Sequence, residues 1–473
     1  MNQFMSILMK TYLDGLRLSN IYNGVYLQAF EKAVGEEGKD VGGKAATAMG
    51  AGNRGMILSP NQIESTYNRW LKNVDKGLER ELKSEHFISG LSRYTQSLLE
   101  LRSFFEKIGY PVAYLDWMFD WYVRGFMVFS LIRKESHLAP FDVVYRKGKA
   151  RLLHYSNNEQ ETSSSATTAV EKKQQQRQPL LIIYAPLNTF HIMDLNPRRS
   201  IVRDLLALGG LDIYLLDWGY PDRSDNNLSL EDYLGYVADS IKVVKDHSHE
   251  DKASILGYCW GGIFALIHSA LHPEEVRNLV LMAVPIDFNK DDSMLAGWSK
   301  AIDVDSMRDE FGNMDGRALD LAFVMRNPPR YAFDKYLKFF QRFYDKEFVD
   351  TFIDVERWLY DTPPIPGALF RQIINDCYRK NLLISDGKME VLDGEDKKRQ
   401  KVNIQKNITM PVLSVIAQQD DLVSPASSLA INDHISSKDK TVLENPGGHV
   451  ALCISNSAHK KLWPEVSKWL MSR

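Results

Sequence analysis

The sequence Ile255-Leu256-Gly257-Tyr258-Cys259-Trp260-Gly261-Gly262 has the form of a nucleophile elbow, Gly-x-nucleophile-x-Gly, with cysteine as the nucleophile. An apolar run precedes it and a helical pattern follows. A strand that turns this sharply into a helix brings backbone segments very close, so the residues two before and two after the nucleophile must lack side chains; Gly257 and Gly261 meet that need. The turn would place Cys259 at a helix N-terminus, where unpaired amides favour a thiolate. A buried structural cysteine between two glycines is the other interpretation.

Apolar strand candidates alternate with helical segments on both sides of this string. The predicted strands are 180–184, 213–218, 254–256 and 279–284, and the predicted helices are 201–208, 230–244 and 262–271. Strands that are apolar on both faces and alternate with helices are typical of a parallel sheet covered on both sides. Together with the elbow, the alternation predicts an α/β fold of the α/β-hydrolase type.

The alternation stops near residue 288 and resumes with predicted strands at 412–417 and 440–444 and a helix at 458–471. The catalytic core is therefore predicted over 136–287 and 404–473, beginning with a β-hairpin between 143 and 155. The interval 288–403 is rich in aromatic residues and predicts an inserted, mostly helical cap over the strand ends.

Two further segments lie outside this core. Residues 1–135 show apolar positions at helical spacing and predict an N-terminal helical extension. Residues 157–178 are polar and of low complexity, so they cannot bury enough apolar surface to offset the entropy lost on ordering, and they predict a mobile surface loop.

Composition excludes several classes of function. The 473 residues carry 58 Lys and Arg against 61 Asp and Glu, a net charge of −3, so a nucleic-acid partner is not expected. The three cysteines form no C-x-x-C pair, which favours a reducing cytoplasm. The longest apolar run, 125–132, is too short to span a bilayer; its aromatic surroundings predict a buried helix, or else an amphipathic surface. No spacing typical of metal ligands, dinucleotide loops or P-loops occurs, so neither a metal nor a cofactor is expected.

A nucleophile in this fold needs a carboxylate and a histidine downstream, in that order along the chain. Strand 412–417 runs into Asp420 and Asp421 at the edge where open α/β sheets hold their sites, and the glycine-rich turn before His449 follows the next strand. A lone aspartate after a strand is usually a turn residue, and a lone histidine is usually structural. Their joint order with Cys259 predicts a catalytic set of Cys259, Asp420 and His449, with Asp421 as the main competitor for the acid.

An oxyanion hole in this fold takes one amide from the residue after the nucleophile, here Trp260. The second comes from the loop after the third strand, here 185–189, where either Leu187 or Asn188 could donate. The sequence leaves that choice open.

At this point the residues resemble the polyhydroxyalkanoate synthases, the polymerases that turn 3-hydroxyacyl-CoA into storage polyester. The resemblance covers about residues 135–473 and is greatest to the class III catalytic chains, which work with a helical accessory subunit. It is carried by Tyr214-Leu215-Leu216-Asp217-Trp218-Gly219-Tyr220-Pro221-Asp222, the string at 257–262, Leu271-His272-Pro273, Val276-Arg277-Asn278-Leu279-Val280, Pro285-Ile286-Asp287-Phe288, Asp420-Asp421-Leu422-Val423-Ser424-Pro425-Ala426-Ser427-Ser428 and Pro446-Gly447-Gly448-His449.

The resemblance implies a role for each site residue. Cys259 would carry the growing acyl chain, His449 would take its proton, and Asp420 would activate the 3-hydroxyl of the incoming unit. It also implies (R)-3-hydroxyacyl-CoA as substrate with no separate cofactor, a homodimer, a possible helical accessory subunit, and a cytoplasmic location on polyester granules.

The chain departs from this family at three places. The family usually has histidine directly after the catalytic aspartate, where this chain has Asp421, and both 1–135 and the insertion at 157–178 are additions. Two other functions stay open: a cysteine thioesterase or hydrolase of the same fold, and a non-catalytic protein of the granule surface.

Overall fold

In a computed structural model of the chain, the described residues are 10, 107, 138–155, 177–326, 330–331, 335, 338–339, 342, 345–385, 387–394 and 398–473. The chain divides into one unit over Met1–Met127 and another over Val128–Arg473. The predicted N-terminal extension lies outside the described residues except for Lys10 and Lys107, and the predicted loop 157–178 lies outside them except for its last two residues. Gln178, the last of these, is already in a strand.

An eight-stranded sheet forms the centre of the second unit. Its strands are β1 (Asp142–Lys147), β2 (Ala150–Tyr155), β3 (Gln178–Ile183), β4 (Leu211–Asp217), β5 (Ala253–Tyr258), β6 (Val276–Met282), β7 (Val412–Ala417) and β8 (Lys440–Asn445), in the spatial order 1-2-4-3-5-6-7-8. Strands β1 and β2 pair as the predicted antiparallel hairpin, and β2 is antiparallel to β4. The remaining neighbours are parallel. The predicted α/β sheet is confirmed.

Burial explains the order of the strands. Every residue of β3, β5 and β7 is buried, whereas the edge strand β8 alternates between exposed and half-buried positions up to its buried last residue. Continuous apolar runs belong in strands covered on both faces, and an alternating strand belongs at an edge with one wet face. Because neighbouring parallel strands end at the same edge, the carboxyl ends of β3, β5, β6 and β7 lie together.

Three helices cover the sheet between these strands: α1 (Ile201–Leu208), α2 (Leu230–Ser248) and α3 (Trp260–Leu271). Ser200 caps α1 by accepting the amide of Arg203, and Ser229 caps α2 with Asp232 in a capping box. Helix α3 is buried from Trp260 to Ala270, as expected of a helix that is apolar on all sides. Because α3 follows β5 directly, it begins at the edge of the sheet where the carboxyl end of β5 lies.

The described part of the predicted cap interval, 288–403, is largely helical. Its helices are α4 (Met294–Ala301), α5 (Val304–Phe311), α6 (Gly316–Met325), α7 (Lys346–Leu359) and α8 (Gly367–Gln372), followed by a π-helix at Ile373–Arg379. It also contains an antiparallel pair of strands, Glu390–Asp393 and Lys398–Lys401, that was not predicted. The second of these strands is fully exposed, so it has no apolar pattern to detect.

Four short α-helices follow residue 403: α9 (Ile404–Asn407), α10 (Pro425–Leu429), α11 (Ala451–Ile454) and α12 (Trp463–Met471). The predicted helix 458–471 is present as a π-helix at Ala458–Leu462 that continues into α12. No helix within the described ranges is long and apolar enough to cross a membrane.

Candidate active site

Cys259 lies at the junction between β5 and α3, in the predicted elbow. Its backbone has φ 53° and ψ −128°, a conformation that non-glycine residues rarely adopt and that costs on the order of 1–3 kcal/mol. Its amide donates to the carbonyl oxygen of Met282 in β6 at 3.0 Å, which ties the turn to the neighbouring strand. Strain of this kind persists only where the surrounding structure imposes it, so the cysteine is held in a fixed position at the start of α3.

The glycines of the elbow are required by close backbone approach. A Cβ on Gly261 would lie 2.6 Å from the carbonyl carbon of Tyr184, at the end of β3. A Cβ on Gly257 would overlap Gly262, and one on Gly262 would overlap the side chain of Val284. Gly262 is thus a third obligatory glycine, which the five-residue pattern alone does not identify.

The predicted acid and histidine lie together at the carboxyl ends of β7 and β8. Nδ1 of His449 is 2.7 Å from Oδ2 of Asp420, while Oδ1 of Asp420 accepts the amides of Leu422 at 2.9 Å and Val423 at 3.0 Å. Cys259 lies close enough to His449 to contribute to the shift in the pKa of the imidazole. Because Nδ1 faces Asp420, the other ring nitrogen is the one available to the thiol.

The three side chains are almost fully enclosed: Cys259 is 5% exposed, Asp420 9% and His449 6%. Burial by itself would lower the pKa of His449, but the charge of Asp420, the hydrogen bond to it and the interaction with Cys259 raise it above its usual value. Burial would likewise raise the pKa of Asp420, but the charge and hydrogen bond of His449 and two backbone amides lower it.

Asp421 is directed away from this set. Its carboxylate accepts from the hydroxyl of Tyr331 at 2.6 and 2.7 Å and contacts Nε of Arg326 at 3.4 Å and Nη1 of Arg330 at 3.5 Å. The structure therefore brings Asp420, and not its competitor, to His449. Adjacent residues of a turn point in different directions, so this distinction is not visible in the sequence.

The loop after β3, which holds the predicted second oxyanion donor, is bound to the cap. Asn188 has φ 63°, and its side-chain amide donates to Thr362 and to the carbonyl oxygen of Leu359 at 3.0 Å. The indole N–H of Trp358 donates to the carbonyl oxygen of Thr189 at 2.7 Å. The end of α7 and the residues after it thus hold the loop that contains Leu187 and Asn188.

Tyr258 is a site residue that sequence reasoning missed. Its ring stacks on the imidazole of His449, with ring centroids 4.8 Å apart and planes inclined by 25°, and its hydroxyl donates to the carbonyl oxygen of His449 at 3.3 Å. It occupies the variable position of the elbow, where the pattern accepts any residue. Its aromatic character is the single signal that the sequence offered.

A cavity of about 630 Å³ opens beside His449. Among the described residues, its lining includes four arginines, two carboxylates and two aromatic rings: Arg199, Arg326, Arg330, Arg342, Asp345, Glu347, Tyr331 and Phe348. None of these arginines was predicted from the sequence, because they come from separate segments with no common pattern.

One group within the described part of the chain could hold a metal ion. Donor atoms of His154, Asp212 and His247 lie within 4.8 Å of one another. His154 contacts Asp212 at 2.7 Å, and the hydroxyl of Tyr214 bridges Asp212 and His247. These hydrogen bonds explain why the side chains of His154, Asp212 and His247 lie close together. Since Asp212 is at the amino end of β4, the group is at the opposite edge of the sheet from Cys259.

Comparison with known proteins agrees with this geometry. A family model described as the alpha/beta hydrolase fold matches residues 178–453. The chain is 40% identical over 296 residues to the poly(3-hydroxyalkanoate) polymerase subunit PhaC of Allochromatium vinosum, covering 62% of this chain and 81% of that protein. It is 39% identical to the protein of the same name from Synechocystis, covering 62% of this chain and 78% of the relative. With the elbow, the strand order and these relatives in agreement, the chain belongs to the poly(3-hydroxyalkanoate) polymerase family and has the α/β-hydrolase fold.

Proposed function

We propose that this chain polymerises (R)-3-hydroxyacyl-CoA into polyhydroxyalkanoate and releases CoA, through an acyl-enzyme on Cys259. The observation that carries the proposal is the buried set of Cys259, His449 and Asp420, with His449 hydrogen-bonded to Asp420, in a member of this family. A thiol is well suited to exchange with a thioester, because the attacking and leaving groups are both thiolates of similar stability.

In the first step the sulfur of Cys259 attacks the thioester carbonyl carbon. The proton of the thiol passes to His449, a new C–S bond forms, and the negative charge of the tetrahedral intermediate falls on the former carbonyl oxygen. The backbone amide of Trp260 and one from the loop holding Leu187 and Asn188 are the donors we assign to that oxygen. The intermediate then loses the CoA thiolate, which takes the proton from His449 and leaves as CoA.

In the second step the 3-hydroxyl of a hydroxyacyl unit attacks the acyl group on Cys259. The hydroxyl proton passes to His449, an ester bond forms, the C–S bond to Cys259 breaks, and the thiolate is reprotonated. Each cycle thus lengthens the chain by one unit and restores the thiol. No separate cofactor enters this scheme, since CoA is part of the substrate.

Asp420 acts through His449 in this scheme. The family resemblance implied that it activates the substrate hydroxyl directly, yet both of its oxygens already have partners, on one side His449 and on the other the amides of Leu422 and Val423. This arrangement supports the role of the carboxylate in a hydrolase triad, which orients the imidazole and stabilises its charged form.

The test is an assay of the purified chain with (R)-3-hydroxybutyryl-CoA, following thiol release and insoluble polymer together. We expect both products from the wild type and neither from Cys259→Ala. Cys377→Ala is the matched control, because Cys377 is also fully buried but lies in the π-helix of the cap. Thiol release accompanied by free hydroxy acid alone would show that the chain is a thioesterase instead.

The same assay addresses the accessory subunit that the resemblance implies. Activity of the chain alone would show that no partner is obligatory. Size-exclusion chromatography with light scattering tests the proposed homodimer, and co-sedimentation with polymer granules tests the proposed granule location in the cytoplasm.

A further inference from the structure

Tyr258 connects the nucleophile and the base of the proposed reaction through one side chain. It is the last residue of β5, and the next residue in the chain is Cys259. Its ring lies against the imidazole of His449, with centroids 4.8 Å apart and planes inclined by 25°. This contact joins the strand that ends at the thiol to a residue 191 positions away in the sequence.

The chain just before His449 does little to orient the imidazole. Gly447 and Gly448 precede it, and Gly447 has φ 102°, in the region that side chains rarely adopt. Glycine restricts the backbone less than any other residue. The orientation of the imidazole therefore depends on contacts with other segments of the chain.

Two side chains from other segments hold the imidazole. Nδ1 of His449 is 2.7 Å from Oδ2 of Asp420. One hydrogen bond leaves a ring free to turn about the line that joins its two atoms. The flat face of Tyr258 lies against the imidazole and opposes this rotation, so the two contacts together define the plane of the ring.

The ring of Tyr258 matters more for this contact than its hydroxyl. The hydroxyl donates to the backbone carbonyl oxygen of His449 over 3.3 Å, which is long for a hydrogen bond from a hydroxyl to an oxygen. The same carbonyl oxygen also accepts the amide of Leu452 at 3.3 Å. Loss of the hydroxyl would leave that carbonyl with a partner, whereas loss of the ring would remove the face against which the imidazole lies.

The ring of Tyr258 is itself firmly supported. Tyr258 is 2% exposed, every residue of β5 is buried, and the centroid of the Tyr184 ring lies 5.7 Å from that of Tyr258. Close packing of this kind leaves a side chain little room for another rotamer. The support for the imidazole is therefore a rigid part of the central sheet.

We propose that Tyr258 is a positioning residue, whose ring fixes the plane of the His449 imidazole so that the nitrogen opposite Nδ1 faces Cys259. The inference rests on the proposed function, and it adds a residue that acts through His449 on the proton transfers of both steps. Such transfers need donor and acceptor within hydrogen-bond reach and aligned. The aromatic face also stabilises the positive charge that the imidazole acquires when it takes the proton of the thiol.

The test separates the ring from the hydroxyl. Tyr258→Phe keeps the ring, while Tyr258→Leu and Tyr258→Met remove it, so that one ring-free variant is available if the other does not fold. The measured quantities are kcat and KM for thiol release from (R)-3-hydroxybutyryl-CoA. We expect the ring-free variants to lose at least about tenfold in kcat with KM changed less than about twofold, and Tyr258→Phe to keep at least about half of the wild-type kcat.

Tyr233→Leu is the matched control. Tyr233 is also 2% exposed, but it lies in α2, where its ring packs on Trp218 and Phe264. The substitution should lower the urea midpoint, as Tyr258→Leu does, and leave kcat within about twofold of the wild type. With an active wild type, equal kcat in Tyr258→Phe and Tyr258→Leu, or equal losses in Tyr258→Leu and Tyr233→Leu, would overturn the inference and leave the proposed function intact.

Proton NMR gives a second measurement that does not depend on activity. A proton held between Nδ1 of His449 and the carboxylate of Asp420 gives a resonance far downfield, which is assigned by its loss in Asp420→Asn. We expect this resonance in the wild type and in Tyr258→Phe. It should be broadened or absent in the ring-free variants, because an imidazole that turns exposes the proton to exchange with water.

A sharp resonance in the ring-free variants, or none in the wild type, would overturn the inference. If the wild type releases no thiol from the substrate, that result refutes the proposed function, and the NMR comparison alone decides whether Tyr258 positions the imidazole.

Discussion

The indole N–H of Trp358 donates to the carbonyl oxygen of Thr189 over 2.7 Å and so joins the end of helix α7 to the loop after β3. That loop contains both candidates for the second oxyanion donor. The side chain of its neighbour Asn188 is held by Thr362 and Leu359 of the same cap segment. The position of the cap therefore bears on the geometry in which an oxyanion would be stabilised.

Trp358→Phe should lower kcat without unfolding the chain. The substitution keeps a buried aromatic ring but leaves the carbonyl of Thr189 without its donor, a loss of about 1–3 kcal/mol at the loop. We expect kcat for thiol release to fall about tenfold, with a small change in the urea midpoint. Trp469→Phe is the control, since it also removes an indole hydrogen bond, the part-buried one to Thr441 at 2.9 Å, but in α12. Equal losses of kcat in the two variants would contradict the assignment.

Asp420→Asn should slow catalysis far more than Asp421→Asn, although the two carboxylates are neighbours in the sequence. An asparagine at 420 cannot stabilise the charged imidazole of His449, so single-turnover acylation should slow by roughly 10³–10⁴. Asp421 contacts Tyr331 and Arg326 instead, so its replacement should slow the same step by less than about tenfold. Rapid-quench measurement of the acyl-enzyme distinguishes the two. A larger loss in Asp421→Asn would show that the acid assignment is reversed.

Asp320 in α6 should make the protein less stable as the pH rises toward 8. Burial raises the pKa of this carboxyl to about 8, although a hydrogen bond from Thr362 opposes the shift. Between its ordinary value of 3.8 and about 8, the folded state holds a proton that the unfolded state has lost. The free energy of unfolding therefore decreases with rising pH across that window.

Asp320→Asn keeps an acceptor for Thr362 and cannot ionise. It should therefore remove the contribution of Asp320 to the fall in the free energy of unfolding with rising pH. Urea denaturation between pH 5 and about 8.5 measures the slope, to which one such group contributes at most about 1.4 kcal/mol per pH unit. The exposed Asp246 gives the comparison, because Asp246→Asn should keep the slope of the wild type. A wild-type slope in Asp320→Asn would refute the prediction.

Gly261→Ala should severely destabilise the fold, because its Cβ would lie 2.6 and 2.7 Å from the carbonyl carbon and oxygen of Tyr184. Backbone atoms cannot move aside as a flexible side chain can, so we expect a loss of at least about 3 kcal/mol or insoluble protein. Gly235→Ala in α2 is the matched control: nothing lies within 4 Å of the new Cβ, and a gain of about 0.5–1 kcal/mol is expected. Comparable urea midpoints for the two variants would contradict this account.

Much of the fold was predictable because it depends on local patterns. The elbow around Cys259 was recognisable because Gly257 and Gly261 stand at fixed spacing around the cysteine, and the continuous apolar runs of β3, β5 and β7 reflect burial on both faces. The strand pair at 390–401 was missed because its second strand is fully exposed and has no such pattern. Gly262 was missed because the five-residue pattern ends at Gly261, and the side chain that excludes a Cβ on Gly262 is that of Val284, two residues after β6.

The sequence by itself determined the type of fold and predicted a cysteine nucleophile followed by an acid and a histidine, since these depend on local patterns and on their order along the chain. Only the tertiary structure decided which of two adjacent aspartates contacts His449, that Tyr258 stacks on that imidazole, and that four arginines meet beside it. The physical reason is that these relationships join side chains far apart in sequence. Their directions are set by how turns and helices pack at one edge of the sheet, and no periodicity of the chain encodes that packing.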